Sequence, residues 1–221
     1  MYLIDTKSKN NVHQKSKFKN WLTALTISLG GYFFFHVGIF NPMADPMATY
    51  TYNLSGKEKK DFVSRSNSFL LWGGAIGVLA IGSISDKLGR VKTLLYLEIL
   101  SLITSGLFYL ENIYLLYIAR MLAGVICASN STLGLITINE MYTSDIRGLA
   151  GLILYLIITV SILIAYFIPY LFDNDQEKLA SNAKLILSYP GLLGILRLIL
   201  LLAFYKLGNI DSPKYYYLKL R

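Results

Sequence analysis

Apolar and polar positions along this chain come in long blocks. Six apolar stretches, roughly 21–40, 69–85, 93–110, 114–138, 149–172 and 185–207, are separated by polar segments. About 20 residues of helix cross a hydrocarbon core, so each block approaches or exceeds the length of a bilayer span. The pattern predicts an all-α polytopic membrane protein: a basic tail over 1–20, a six-helix transmembrane domain over 21–207 and a C-terminal segment over 208–221. Loops are predicted at 41–67, which holds Pro42 and Pro46, and at 173–184. Between the second and third blocks lies a compact charged turn, Gly82-Ser83-Ile84-Ser85-Asp86-Lys87-Leu88-Gly89-Arg90-Val91-Lys92. A hairpin in a bilayer exposes such a turn to water.

Composition agrees with this reading, with 54% apolar or aromatic residues, 15% charged residues and a mean hydropathy of +0.49. The net charge of +8 raises the question of nucleic acid. Its distribution answers it. Thirteen of the 21 Lys and Arg residues fall on the side of the tail, the 82–92 turn, Arg147 and the C-terminus. Six fall on the other side, and Arg120 and Arg197 lie inside spans. This is the positive-inside bias, which predicts both termini on the cytoplasmic or matrix side and makes a nucleic-acid partner unnecessary. A plasma membrane and a mitochondrial inner membrane both fit. The first twenty residues lack a signal peptide's apolar core and a transit peptide's arginines, and Asn53-Leu54-Ser55 is a short glycosylation sequon.

The lone Cys127 excludes an internal disulfide and a thiolate metal site. His13 and His36 stand apart from any ligand pattern, so no metal or cofactor is expected. No aqueous segment gathers a nucleophile, a base and an orienting group, which argues against an enzyme.

Within the blocks, small and ionisable residues carry the information. Gly73 and Gly77 form a small-xxx-small face, and Arg120, Gly124 and Ala128, with Ala123, Cys127 and Ser131 beside them, form a broader one. Such faces need a close neighbour. Arg120 lies about 9 Å below the outer end of its block and His36 roughly 6 Å below its own, at 1.5 Å per residue, so the two can meet. Glu98 falls near the inner end of the third block and is a poor partner for Arg120. Arg197 falls near mid-depth, where a bare charge is disfavoured by about 3 kcal/mol or more, and no partner is obvious by depth.

Gly82, Asp86, Lys87, Gly89, Arg90 and Lys92 resemble the G-x-x-x-D-R/K-x-G-R motif of the sugar porters, within the major facilitator superfamily. Arg120, Gly124, Glu140, Arg147 and Gly148 are similar to that family's R-x-x-x-G, E and R-G pattern. Asp211-Ser212-Pro213-Lys214 resembles its P-E-S-P-R signature. The resemblance covers the N-terminal half of a sugar porter. It implies two inverted three-helix repeats, with substrate bound between this half and a second one. It further implies an inner-gate network of Asp86, Arg90, Glu140, Arg147, Asp211 and Lys214, although such charges can equally mark the water boundary.

Two departures bear on function. His36 stands where proton-coupled members carry an aspartate near the arginine matched by Arg120. A histidine in that setting cannot exchange protons as a carboxylate does, so proton symport is not expected. Tyr155 stands where members carry a sugar-binding glutamine, and a phenol offers one hydroxyl where an amide offers donors and an acceptor. His36, Arg120, Tyr155 and Thr159 are the candidate substrate-path residues. The expected role is a transport-degenerate, membrane-embedded accessory or structural subunit of a larger membrane complex. The alternative is an active half-transporter that moves a sugar or other small solute by alternating access after pairing with a second six-helix half. The expected partners are the lipid bilayer, other membrane subunits or that second half, and a sugar-like solute.

Overall fold

A computed structural model describes residues 21–142, 144–172 and 175–208, with side chains except at 144–146 and 204–208. Regular structure among them is helical. The long helices are α1 (Trp21–Thr51), α2 (Gly56–Leu88), α3 (Arg90–Tyr109), α4 (Ile113–Met141) and α5 (Ser144–Leu171). After them come the short α6 (Gln176–Ser181) and α7 (Ala183–Ser188), and then α8 (Pro190–Gly208). By length and composition, six helical segments can cross a membrane: α1 to α5, and the stretch from Ala183 to Ala203 that joins α7 to α8. The basic tail, Asp211 and Lys214 lie outside the described residues.

The loop expected at 41–67 is almost entirely helical, which corrects the boundaries of the first two spans. Pro42 and Pro46 sit inside the last turns of α1, and α1 continues past them through a wider π-type turn, Met47–Thr51. A proline removes one backbone donor, and a helix buried among neighbours tolerates that loss. The true connection is Tyr52 to Ser55, where Asn53 is exposed with φ of 52°. At 33 residues, α2 is about 50 Å long, against a hydrocarbon core of about 30 Å. Its charged first turns therefore project beyond the apolar region. The loop expected at 173–184 contains α6 and the start of α7. The Asp175 carboxylate caps α6, accepting from the Glu177 and Lys178 amides at 3.1 and 3.2 Å.

Close packing of α2 on α4 comes directly from the glycine spacing. A Cβ on Gly73 would fall onto the Met121 carbonyl oxygen, and one on Gly124 onto that of Leu70. A Cβ on Gly77 would stand 2.7 Å from the Val125 carbonyl oxygen. The small-residue face of α4 is thus filled by this chain's own α2. The close neighbour that this face calls for is therefore a helix of the same chain.

α1 is the innermost helix, with 72% of its apolar window buried against α4, α5 and neighbouring elements. α3 packs on α4, α7 and α8. Apolar side chains gather in two clusters. One holds Phe33, Phe40, Met43 and Phe62 towards the 52–55 loop, and the other holds Ile27, Leu94, Leu133 and Leu154 towards the α2–α3 turn.

Candidate functional site

Three polar constellations punctuate this apolar bundle. The first surrounds Arg120 on α4, which is 1% exposed. One guanidinium nitrogen donates to the His36 backbone carbonyl at 2.8 Å and another to Asn67 Oδ1 on α2 at 3.1 Å. The guanidinium carbon lies 3.9 Å over the Phe40 ring, a cation–π arrangement that offsets part of its lost hydration. Asn67 in turn donates to Asn41 Oδ1 at 3.4 Å, and Asn41 is exposed. His36 and Arg120 meet, but through the histidine's backbone. The imidazole is fully buried, stacked on Phe108 at 4.6 Å and packed on Phe33 at 4.5 Å. Among the described residues neither ring nitrogen has a hydrogen-bond partner.

The second constellation is one that sequence depth alone did not assemble. Arg197 on α8 and Glu98 on α3 form an ion pair with both side chains within 1% of full burial. Glu98 also accepts from the Tyr32 hydroxyl at 2.6 Å and from Ser101 at 3.0 Å. Arg197 reaches Asn130 on α4 at 3.1 Å and the α1 carbonyls of Thr26 and Ile27 at 3.2 and 3.3 Å. Those carbonyls precede the 3₁₀ turn Leu29–Phe34. A change from i+4 to i+3 bonding leaves helix carbonyls short of donors, and the guanidinium supplies them. Gly30 and Gly194 make the room, since a Cβ on Gly30 would stand 2.6 Å from an Arg197 nitrogen and one on Gly194 2.8 Å from the Tyr32 hydroxyl. The missed signal was a polar stripe on α3, with Glu98, Ser101 and Ser105 at i, i+3 and i+7.

The third lies at the α2–α3 turn. Gly89 has φ of 96°, a conformation open to glycine and strained for other residues, and it lets α3 start one residue after α2 stops. Arg90 then forms a two-pronged bridge to Glu140 on α4, Nε to Oε2 at 3.0 Å and a terminal nitrogen to Oε1 at 2.9 Å. The same arginine meets Asp86 at 2.6 Å and bonds the Ser85 hydroxyl. Arg147 donates to the Tyr142 carbonyl at 3.0 Å. Of the six expected gate residues, Asp86, Arg90 and Glu140 are thus in one bonded cluster.

The candidate path residues divide into two sets. His36 and Arg120 are sealed inside the bundle, whereas Tyr155 and Thr159 lie on the exposed face of α5. Thr159 donates its hydroxyl to the Tyr155 carbonyl at 2.9 Å, within its own helix.

This chain matches the family described as sugar (and other) transporter over residues 20–221. It belongs to that family. Among curated members, facilitated glucose transporter protein 1 of Caenorhabditis elegans is 28% identical over 212 residues, covering 87% of this chain and 39% of the relative. The solute carrier family 2 facilitated glucose transporter member 2 of Gallus gallus is 32% identical over 164 residues, 71% of this chain and 29% of the relative. The chain therefore spans well under half the length of these transporters. In fold it is similar to the inward-open xylose transporter XylE of E. coli, with a TM-score of 0.75 over 89% of this chain and 49% of that one. The identity is 20%, so the likeness concerns the fold. This is a major facilitator bundle of six spanning helices inside a sugar transporter family.

Proposed function

We propose that this chain is one six-helix half of a facilitative, proton-independent carrier for a sugar or similar polyhydroxylated solute, working against a second six-helix unit. The observation that carries the reading is the Arg90–Glu140–Asp86 cluster, which ties the α2–α3 turn to the end of α4. A cluster with three bonded members is a clasp that a moving half needs, because it holds that end of the bundle as one rigid body. The curated relatives named facilitated glucose transporters support the solute class. His36 supports independence from protons: its ring is enclosed by aromatic groups, and no carboxylate reaches Arg120 among the described residues.

A second reading is favoured by α5. Its exposed face offers a solute one phenol, Tyr155, and a threonine hydroxyl already spent within the helix. On that reading the chain is a transport-degenerate scaffold in a larger membrane assembly. Placement in the plasma or mitochondrial inner membrane, with termini on the cytoplasmic or matrix side, belongs to the same proposal.

Purification in mild detergent followed by proteoliposome uptake separates the readings. The carrier reading expects co-purification with a second six-helix unit, or self-association, and saturable uptake of labelled hexose that an imposed pH gradient does not change. Uptake that follows the proton gradient sinks it. A stable assembly with unrelated membrane proteins and no hexose uptake supports the scaffold.

A further inference from the structure

The two helices that leave the Gly89 turn lean on α4 rather than on each other. Between them runs a furrow of about 320 Å³. Its walls are Ala80, Ile84 and Leu88 from α2 and Tyr96 and Leu100 from α3, and Val125 of α4 lies on its floor. Ile84, Leu88 and Tyr96 are 44%, 42% and 58% exposed, so the furrow opens sideways, where the hydrocarbon would be. Almost nothing polar faces into it. The Thr93 hydroxyl is committed to the Gly89 carbonyl at 2.7 Å.

The mouth is different in character. Lys87 immediately precedes the lining residue Leu88 and Lys92 immediately precedes the lining residue Thr93, so both stand at the Gly89 end of the furrow, and both are exposed. Among the described residues neither lysine has a salt-bridge partner. The nearby charges are already used, since Asp86 and Glu140 both bond Arg90. An apolar slot ending at two exposed cations, neither in a salt bridge among the described residues, is matched by a molecule with an acyl chain and an anionic head.

We infer that the α2–α3 furrow is a binding site for one anionic phospholipid, with an acyl chain between the helices and the phosphate between Lys87 and Lys92. Lysines at a membrane surface attract acidic lipids. Here the adjoining slot adds a place for the tail. The site involves neither Arg120 nor α5, so it stands whether or not the chain carries solute.

The test uses the full chain, purified in neutral detergent and stripped of lipid. Dioleoyl phosphatidylglycerol, dioleoyl phosphatidylcholine or inorganic phosphate is then added, and bound lipid is counted by native mass spectrometry. Phosphatidylglycerol should be retained about fivefold or more over phosphatidylcholine, unaffected by inorganic phosphate. Lys87→Gln with Lys92→Gln should bring it down to the phosphatidylcholine level, while arginine at both positions preserves it. Tyr96→Trp offers a second readout that needs no lysine variant, because its fluorescence should be quenched by phosphatidylglycerol brominated on the acyl chain. Equal retention of the two lipids, retention that survives the glutamine pair, or absence of quenching overturns the site. Displacement by inorganic phosphate overturns it too, in favour of a free anion.

Discussion

Arg197 illustrates what one residue can demand of a membrane fold. A guanidinium at mid-depth cannot be left bare, and this one is met by a carboxylate, an amide and two backbone carbonyls from three other helices. Removing one member leaves an uncompensated buried charge, which costs about 3–5 kcal/mol. Glu98→Leu or Arg197→Met alone should therefore lower the unfolding temperature in detergent sharply. The double variant should recover much of the loss, because it removes both charges together. A double variant no more stable than either single would show that the loss comes from the missing contacts and not from a charge left without its partner.

At the scale of the helix, the α2–α4 seam is set by backbone approach. Gly73, Gly77 and Gly124 sit where any Cβ would meet a carbonyl of the facing helix. Gly124→Ala should thus push the helices apart and reduce the folded fraction seen by size-exclusion chromatography. Gly82 and Gly106 offer a control, since a Cβ at either meets nothing within 4 Å. Alanine there should be neutral or stabilising, by up to about 1 kcal/mol from helix propensity. If Gly124→Ala behaves like Gly82→Ala, close packing does not hold the seam. The Gly73 and Gly77 spacing was legible in the chain, as was the Gly124 face. That the two faces meet each other was not, because a glycine stripe states that something comes close without stating what.

At the scale of the whole bundle, burial is unequal. The apolar window of α5 is 11% buried and that of α2 22%, against 72% for α1. The exposed side of α5 runs through Leu149, Leu152, Leu156 and Leu163, and lipid or a second helical unit must cover it. Cys127 is buried, so a cysteine at Leu152, 66% exposed, would be the reactive thiol. In the isolated chain Leu152→Cys should react readily with a maleimide. Labelled there with benzophenone maleimide and returned to the membrane, the chain should give a protein photo-crosslink if a second six-helix unit docks on α5, whereas adducts with lipid alone would mean that α5 faces lipid.

Six helices, their order, the charged turn and its sidedness bias follow from the one-dimensional pattern. A span needs only length and apolarity, and a turn motif needs only local spacing. Helix ends did not follow, since the 41–67 segment was polar enough to read as loop while α2 extends through it beyond the apolar region. Pairing did not follow either. The chain lists Glu98 and Arg197 99 positions apart, and depth counted from uncertain helix ends placed them at different levels. Only the packing of α3 against α8, with Gly30 and Gly194 leaving space, brought the carboxylate to the guanidinium. It is likewise the tertiary structure that turned His36 inward among aromatic rings, leaving its carbonyl rather than its imidazole to meet Arg120. Sequence fixes which groups must avoid lipid; the crossing of helices decides which partner each one finds.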